Sequence, residues 1–247
     1  MAQLVIDIGN TFIKMAVFNG SYLLGVGNYT EVHDYNLNEL FETHIIDKAI
    51  VSTVKKEKEP WLAQVEERVK VQYFNGDMAY GVNNHYRTPQ TLGLDRLAAV
   101  MGAHYMYPDN DNLVIDAGTC ITYDGIDAGA NYYGGSISPG LNMRYKALQH
   151  YTSALPLVNA DAEFNNYYGD DTVSAIKSGV QNGILYEVQG FIQSYNKQEK
   201  HLNIILTGGD SVFLDTVLKN SIFAGYIKTE PHLVLIGLNA AIQEHND

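Results

Sequence analysis

The chain has 247 residues and a formal net charge of -12, with 28 Asp and Glu against 16 Lys and Arg. That balance excludes an extended polyanion-binding face, because nucleic-acid binders present a basic surface. At 46% hydrophobic and 18% charged residues the chain can bury a real core, and its single cysteine, Cys120, excludes an internal disulfide framework.

The chain opens directly on an apolar strand pattern, Leu4-Val5-Ile6-Asp7-Ile8-Gly9. No basic-then-apolar leader precedes it, and no apolar run reaches the length of a membrane span. The expectation is a cytoplasmic protein with no membrane and no nucleic-acid partner. A second strand follows from Phe12 to Phe18 and closes on Asn19-Gly20, a tight-turn dipeptide. Ala49–Ser52 reads as a strand. Residues 59–71 read as a helix carrying Trp61, Leu62, Val65 and Val69 on one face, with Pro60 suited to its first turn, and Val69, Gln72, Tyr73 and Phe74 read as a helix-to-strand transition. The next helix is expected over 95–107, with Leu97, Val100, Met101 and His104 on one face, ending near Pro108.

Pro, Asp and Asn cluster over 107–112, which sets the expected division into halves 1–110 and 111–247. The second half opens on Leu113-Val114-Ile115-Asp116-Ala117-Gly118, which repeats Leu4–Gly9 with one change, Ile8 against Ala117. A further strand-like run, Cys120–Asp124, follows this copy too, so both read as strand–turn–strand hairpins. A long helix is expected from Asp171-Thr172, with Val173, Ile176, Val180, Ile184, Val188 and Phe191 on one stripe. Gly179 and Gly183 lie inside it, where each glycine costs roughly 1 kcal/mol relative to alanine. Their spacing puts them on one face, which reads as a dimer interface or as a close helix–sheet contact within the chain. Leu202–Leu206 reads as a buried strand ending in Thr207-Gly208-Gly209-Asp210.

Two related hairpins exclude a P-loop or a Rossmann fingerprint, both of which need a strand–turn–helix. They fit instead an α/β protein of two matching half-domains. The loop Asp7, Ile8, Gly9, Asn10, Thr11, Phe12, Ile13 and Lys14 reads as the ATP-phosphate site. Gly9 lets backbone N–H groups approach phosphate oxygens, Asn10 and Thr11 add short donors, and Lys14 adds charge. Asp7 at the strand end reads as the Mg²⁺ ligand. Asp116 reads as a second carboxylate near the phosphates, a cation ligand and not a base. Gly208-Gly209 would let the backbone lie against adenosine. Cys120 reads as a small core residue and the eight histidines as surface or satisfied core groups.

Three further stretches narrow the pattern: Tyr86 ahead of Gly93-Leu94-Asp95-Arg96, Gly134-Gly135-Ser136-Ile137-Ser138-Pro139-Gly140 with Leu155-Pro156, and Gly169-Asp170-Asp171-Thr172. In this order the chain resembles the type III pantothenate kinases, a family of the actin-like and sugar-kinase-like ATPases. The resemblance implies two duplicated ribonuclease-H-like half-domains with a cleft between them, and phosphorylation of pantothenate to 4′-phosphopantothenate at the expense of ATP, the first step of coenzyme A biosynthesis. It implies that Asp95 is the general base, that Arg96 opposes negative charge, and that Tyr86, Gly93 and Leu94 contact pantothenate. Thr119 would touch ATP, and Asp116 would hold a monovalent cation, K⁺ or NH₄⁺. Thr172 would reach the substrate of the partner subunit in a homodimer. The competing readings are a non-catalytic nucleotide-binding regulator of the same family and a kinase for another small hydroxylated acid. Asp7, Asp95, Arg96 and Asp116 together favour the enzyme.

Overall fold

The computed structural model describes residues 2–55, 57–79, 81–196, 202–219 and 221–244. In chain order its strands and helices are β1 (Ala2–Ile8), β2 (Ile13–Asn19), β3 (Tyr22–Tyr29), α1 (Asp34–Thr43), β4 (Ile46–Thr53), α2 (Leu62–Arg68), β5 (Lys70–Tyr73), β6 (Asn83–Asn84) and α3 (Leu94–Met106). There follow β7 (Asp111–Ala117), β8 (Cys120–Ile126), β9 (Asn131–Pro139), α4 (Leu141–Tyr151), α5 (Thr172–Lys177), α6 (Gly183–Tyr195), β10 (Leu202–Thr207), α7 (Ser211–Leu218), β11 (Ile227–Thr229) and α8 (Leu233–Glu244). Among the described residues no helix is long and apolar enough to cross a membrane. They form two compact units, one holding the chain up to Pro108 with Ala130–Tyr132 and α8, the other Asp109–Gly129 and Tyr133–His232.

The first unit is built on a sheet of order β3-β2-β1-β4-β5, with β1 and β2 antiparallel and β1, β4 and β5 parallel. Strand alternation turns Leu4, Ile6 and Ile8 of β1 to one face with Met15, Val17, Ala49 and Val51. Leu37 of α1 and Leu62 and Val65 of α2 close that face, with Trp61 and Val32. The helix expected over 59–71 is shorter, and the expected helix-to-strand transition falls at Val69, which is already extended, with 70–73 joining the sheet as β5. On the other side α3 packs on α8, and α8 on β1 and β4. The two helices meet at Gly102 and Gly237: a side chain at Gly237 would run into the Ala98 carbonyl, and one at Gly102 into that of Leu233. Lys48 Nζ donates to Ile242 O at 3.0 Å and Asn239 Nδ2 to Gly20 O at 2.9 Å, tying the C-terminal helix to this sheet.

This placement differs from the expected division at 110/111, which left all of 111–247 in the second half. The second face of β1 and β4 carries Val5 and Ile50, both fully buried. It needs an apolar cover, and α8 with buried Leu233, Leu235, Leu238 and Ile242 supplies one.

In the second unit the strand order is β11-β10-β7-β8-β9, with β7 and β8 antiparallel and β10 parallel to both β7 and β11. Leu113, Ile115 and Ala117 of β7, Ile121 and Tyr123 of β8, and Ile204 and Leu206 of β10 share one face. Leu141 and Tyr145 of α4, Ile176 of α5, Ile184, Val188 and Ile192 of α6, and Leu214 and Leu218 of α7 cover it.

The long helix expected from Asp171-Thr172 is α5, a π-helical segment Ser178–Asn182, and α6. Its buried residues Ile176, Val180, Ile184, Val188 and Ile192 recur every fourth position. At 3.6 residues per turn such a stripe drifts around the helix, and the wider π turn brings it back. The stripe therefore runs to Ile192, while Val173 is 43% exposed and Phe191 is only partly buried, its ring stacked on Tyr123 at 3.9 Å. Gly179 and Gly183 do not serve a close helix–sheet contact, since among the described residues no atom beyond the helix's own backbone lies within 4 Å of a Cβ built on either.

Candidate active site

Each of the two Asp-x-Gly turns is closed by a hydrogen bond from its glycine N–H. In the first, Gly9 N donates to Phe12 O at 3.0 Å, and Asn10, Thr11 and Phe12 are exposed between Ile8 and Ile13, which are buried. Antiparallel pairing sets Asp7 opposite Lys14 of β2, and parallel pairing sets it opposite Ser52 of β4. Register partners share a face, so Lys14, Asp7 and Ser52 form one row across three strands. In the second turn Gly118 N donates to Cys120 O at 2.9 Å. Asp116 stands opposite Thr122 of β8 and Thr207 of β10, again a row of three.

Gly208 follows Thr207 with φ 90°, a left-handed conformation that side chains disfavour. A Cβ there would overlap both the Ala117 carbonyl and Asp116 Oδ1, so the backbone of this loop lies against the Asp116 turn. Asp210 N donates to Ala117 O at 2.8 Å, and burial pushes the Asp210 carboxyl above its ordinary range. Gly209 is exposed, with open space on its Cβ side. Thr119 is exposed and its carbonyl accepts from Gly140 N at 3.1 Å, which brings the end of the Gly134–Gly140 stretch to the same turn.

At the start of α3, Gly93 is the N-cap and its carbonyl accepts from Leu97 N at 3.2 Å. Asp95 sits half-buried in the first turn, where the helix dipole favours a carboxylate, and its Oδ1 accepts from Arg96 N at 2.8 Å. Leu94 is half-buried. Arg96 is buried, with its guanidinium carbon 5.8 Å from the centre of the Tyr86 ring, a cation–π contact. Tyr86 is itself held by a bond from its N–H to Asn84 Oδ1 at 3.0 Å. The fold thus joins Tyr86 to the Gly93–Arg96 turn and Gly208 to Asp116. Thr172 is exposed as the first residue of α5. Capping falls to Asp171, whose Oδ1 accepts from Val173 N at 2.8 Å and Ser174 N at 3.1 Å.

One cluster has no counterpart in the sequence reading. Arg144 of α4 donates to Glu187 Oε2 of α6 at 2.6 Å, to Ser138 Oγ at 2.8 Å and, through Nε, to Pro139 O at 2.8 Å. Tyr123 OH donates to Glu187 Oε1 at 2.8 Å. Burial alone would raise the Glu187 carboxyl, but the hydrogen bonds from Arg144, Tyr123 and Ser138 outweigh it and hold the group below its ordinary range. Ser138 lies within a motif visible in the sequence. Arg144 and Glu187 sit on separate helices that only packing brings together.

Among the described residues no three His, Cys, Asp or Glu side chains cluster as a metal cage. A divalent ion beside Asp7 would therefore take most of its ligands from phosphate oxygens and water, the usual arrangement for a hard cation on a nucleotide. The Asp7 row fits that role, offering a carboxylate, a lysine and, at Ser52, a buried hydroxyl with no partner among the described residues.

Residues 3–194 match the family model described as type III pantothenate kinase. The chain is 45% identical over 225 residues to the type III pantothenate kinase of Flavobacterium johnsoniae, covering 90% of this chain and 91% of that one. The chain belongs to the type III pantothenate kinase family. A family relative from Bacteroides fragilis is 43% identical over 250 residues, covering 99% of this chain and 98% of its own. Among solved structures, the activator of 2-hydroxyisocaproyl-CoA dehydratase from Clostridium difficile, with bound ADPNP, superposes with a TM-score of 0.57 at 11% identity, covering 99% and 97% of the two chains. Component A of the Acidaminococcus fermentans (R)-2-hydroxyglutaryl-CoA dehydratase does so with a TM-score of 0.55 at 14% identity, covering 98% and 97%. At such identities the likeness is one of fold, the two-sheet α/β fold of the actin-like ATPases and sugar kinases.

Proposed function

We propose that this chain is an ATP-dependent pantothenate kinase that forms 4′-phosphopantothenate and ADP, the first step of coenzyme A biosynthesis. The observation that carries this reading is the family match over residues 3–194. In the proposed reaction the Asp95 carboxylate takes the proton of the pantothenate hydroxyl as that oxygen attacks the γ-phosphorus of ATP. The bond to the β,γ-bridging oxygen breaks and ADP departs. Positioning and charge stabilisation supply most of the catalysis in such transfers. Arg96, held by its contact with Tyr86, opposes negative charge, and Tyr86, Gly93 and Leu94 bound the pantothenate.

The triphosphate is assigned to the Asp7–Lys14 turn and the adenosine to Gly208-Gly209 with Thr119. Mg²⁺ is assigned to Asp7, and K⁺ or NH₄⁺ to Asp116, whose carboxylate is a hard-oxygen ligand suited to such a cation. Bound Mg²⁺ would offset phosphate charge. The reading includes a homodimer in the cytoplasm in which Thr172 serves the partner's site. The open glycine face at Gly179 and Gly183 supports it, as do exposed Tyr167 (86%) and Tyr168 (79%). The test is ADP release with Mg²⁺, with and without pantothenate, in potassium and then in sodium buffer. Pantothenate-dependent release that is stronger in potassium is expected, and no such release in potassium would overturn the assignment.

A further inference from the structure

Among its described residues the first unit contains a hydroxyl that the fold leaves without a partner. Ser52 is 1% exposed and its Oγ makes no hydrogen bond among the described residues. Such a group is destabilising where it stands, because it has lost water and gained nothing in exchange. Its place in the sheet gives it a use. Ser52 pairs in register with Asp7 across the parallel β1–β4 ladder, on the same face, with neighbouring strands about 4.8 Å apart. Lys14 flanks Asp7 on its other side. The second unit repeats the plan, with Thr207 of β10 in register with Asp116. Each of the two aspartates therefore has a hydroxyl-bearing residue beside it on the adjacent parallel strand.

We propose that Ser52 is a positioning residue for the phosphate end of the ATP site. Its hydroxyl donates to the Asp7 carboxylate when the metal–triphosphate complex is bound, fixing one carboxylate oxygen so that the other is presented to the metal's shell. A serine suits this task because it adds a donor without adding charge beside Lys14. The inference rests on the assignment of Asp7 to magnesium and the triphosphate.

Thermal unfolding separates the two assignments. Wild type, Ser52→Ala and Ser52→Thr are melted alone, with ATP and EDTA, and with ATP and Mg²⁺, and the dissociation constant for Mg-ATP is measured by calorimetry. In wild type, Mg²⁺ should add to the stabilisation that ATP gives alone. Ser52→Ala should melt at or above the wild-type temperature without nucleotide, since it loses an unpaired group. It should lose most of the Mg²⁺-dependent increment and bind Mg-ATP roughly tenfold more weakly. Ser52→Thr, which keeps the hydroxyl and copies Thr207, should retain the increment. A wild-type increment and affinity in Ser52→Ala would overturn the role of Ser52 and leave Asp7 assigned. A lower melting temperature of Ser52→Ala without nucleotide would overturn it too, by showing a hydroxyl already used in packing. If wild type itself gained nothing from Mg²⁺, the Asp7 assignment would fall first and this inference with it.

Discussion

A Cβ on Gly93 would lie 2.5 Å from Asp95 Oδ1, so the carboxylate of α3's first turn occupies the space a side chain at position 93 would need. The backbone at Gly93 (φ -60°, ψ 127°) is one that alanine adopts without strain. Gly93→Ala should therefore displace the Asp95 carboxylate and leave the fold intact. We expect kcat to fall at least about tenfold with a melting temperature within a few degrees of wild type. Wild-type kcat in this variant would show that Asp95 does not need that position.

Asp95→Asn keeps the shape of the turn and removes the proton acceptor. Turnover should drop by roughly 10²- to 10⁴-fold while ATP binding, read by calorimetry, stays near wild type. A variant retaining near-normal rates would remove Asp95 from the role of base.

The Arg144–Glu187 pair links the β9–α4 turn to α6. The Glu187 carboxyl is held below its ordinary value, so its contribution is present above that value and lost as pH falls through the depressed one. Arg144→Met leaves a partly buried carboxylate and should cost about 1–3 kcal/mol at neutral pH. The deficit relative to wild type should shrink on acidification as Glu187 takes up a proton. Denaturant melts across that range, with Arg144→Met/Glu187→Gln as the closing corner of a cycle, measure it. A pH-independent deficit would contradict the assignment.

Tyr145 lies on the alkaline side. Burial, with a smaller contribution from Asp161, pushes its hydroxyl up to about 12. A raised value means that its contribution is complete below the ordinary 10 and is lost as pH rises toward 12. Tyr145 OH donates to Gln181 Oε1 at 2.8 Å in the π-helical segment, so Tyr145→Phe should cost about 1 kcal/mol at neutral pH. It should also flatten the fall in stability above pH 10. Ultraviolet difference titration should show Tyr123, raised further by burial and by Glu187, among the last tyrosines to ionise.

Gly179→Leu places a large side chain where, among the described residues, no atom beyond the helix's own backbone lies within 4 Å of a Cβ. The protomer should fold, and sedimentation should show a shift from dimer toward monomer with loss of activity. A stable, fully active dimer would count against this face as the interface.

Much of this molecule is legible one segment at a time. The Asp7 and Asp116 hairpins can be read because alternation, a glycine turn and a second strand all fall within some fifteen residues. The start of α3 is equally local, since Gly93, Asp95 and the apolar face that follows mark a helix beginning within one residue of where Leu94 begins it. The π-helical turn leaves its trace in the fourfold spacing of Ile176, Val180, Ile184 and Val188, although the regular-helix reading extended the stripe to Val173 and Phe191.

By itself, then, the sequence determined the two aspartate turns, the Asp95 helix start and the family to which they belong, because each rests on residues close along the chain. Tertiary structure alone decided that α8 returns to cover β1 and β4, that Arg144 meets Glu187, and that Ser52 and Thr207 stand beside Asp7 and Asp116. The reason is the nature of parallel pairing and helix packing. Both join residues distant in sequence, and their register is set by burying whole faces, which no short pattern of residues encodes.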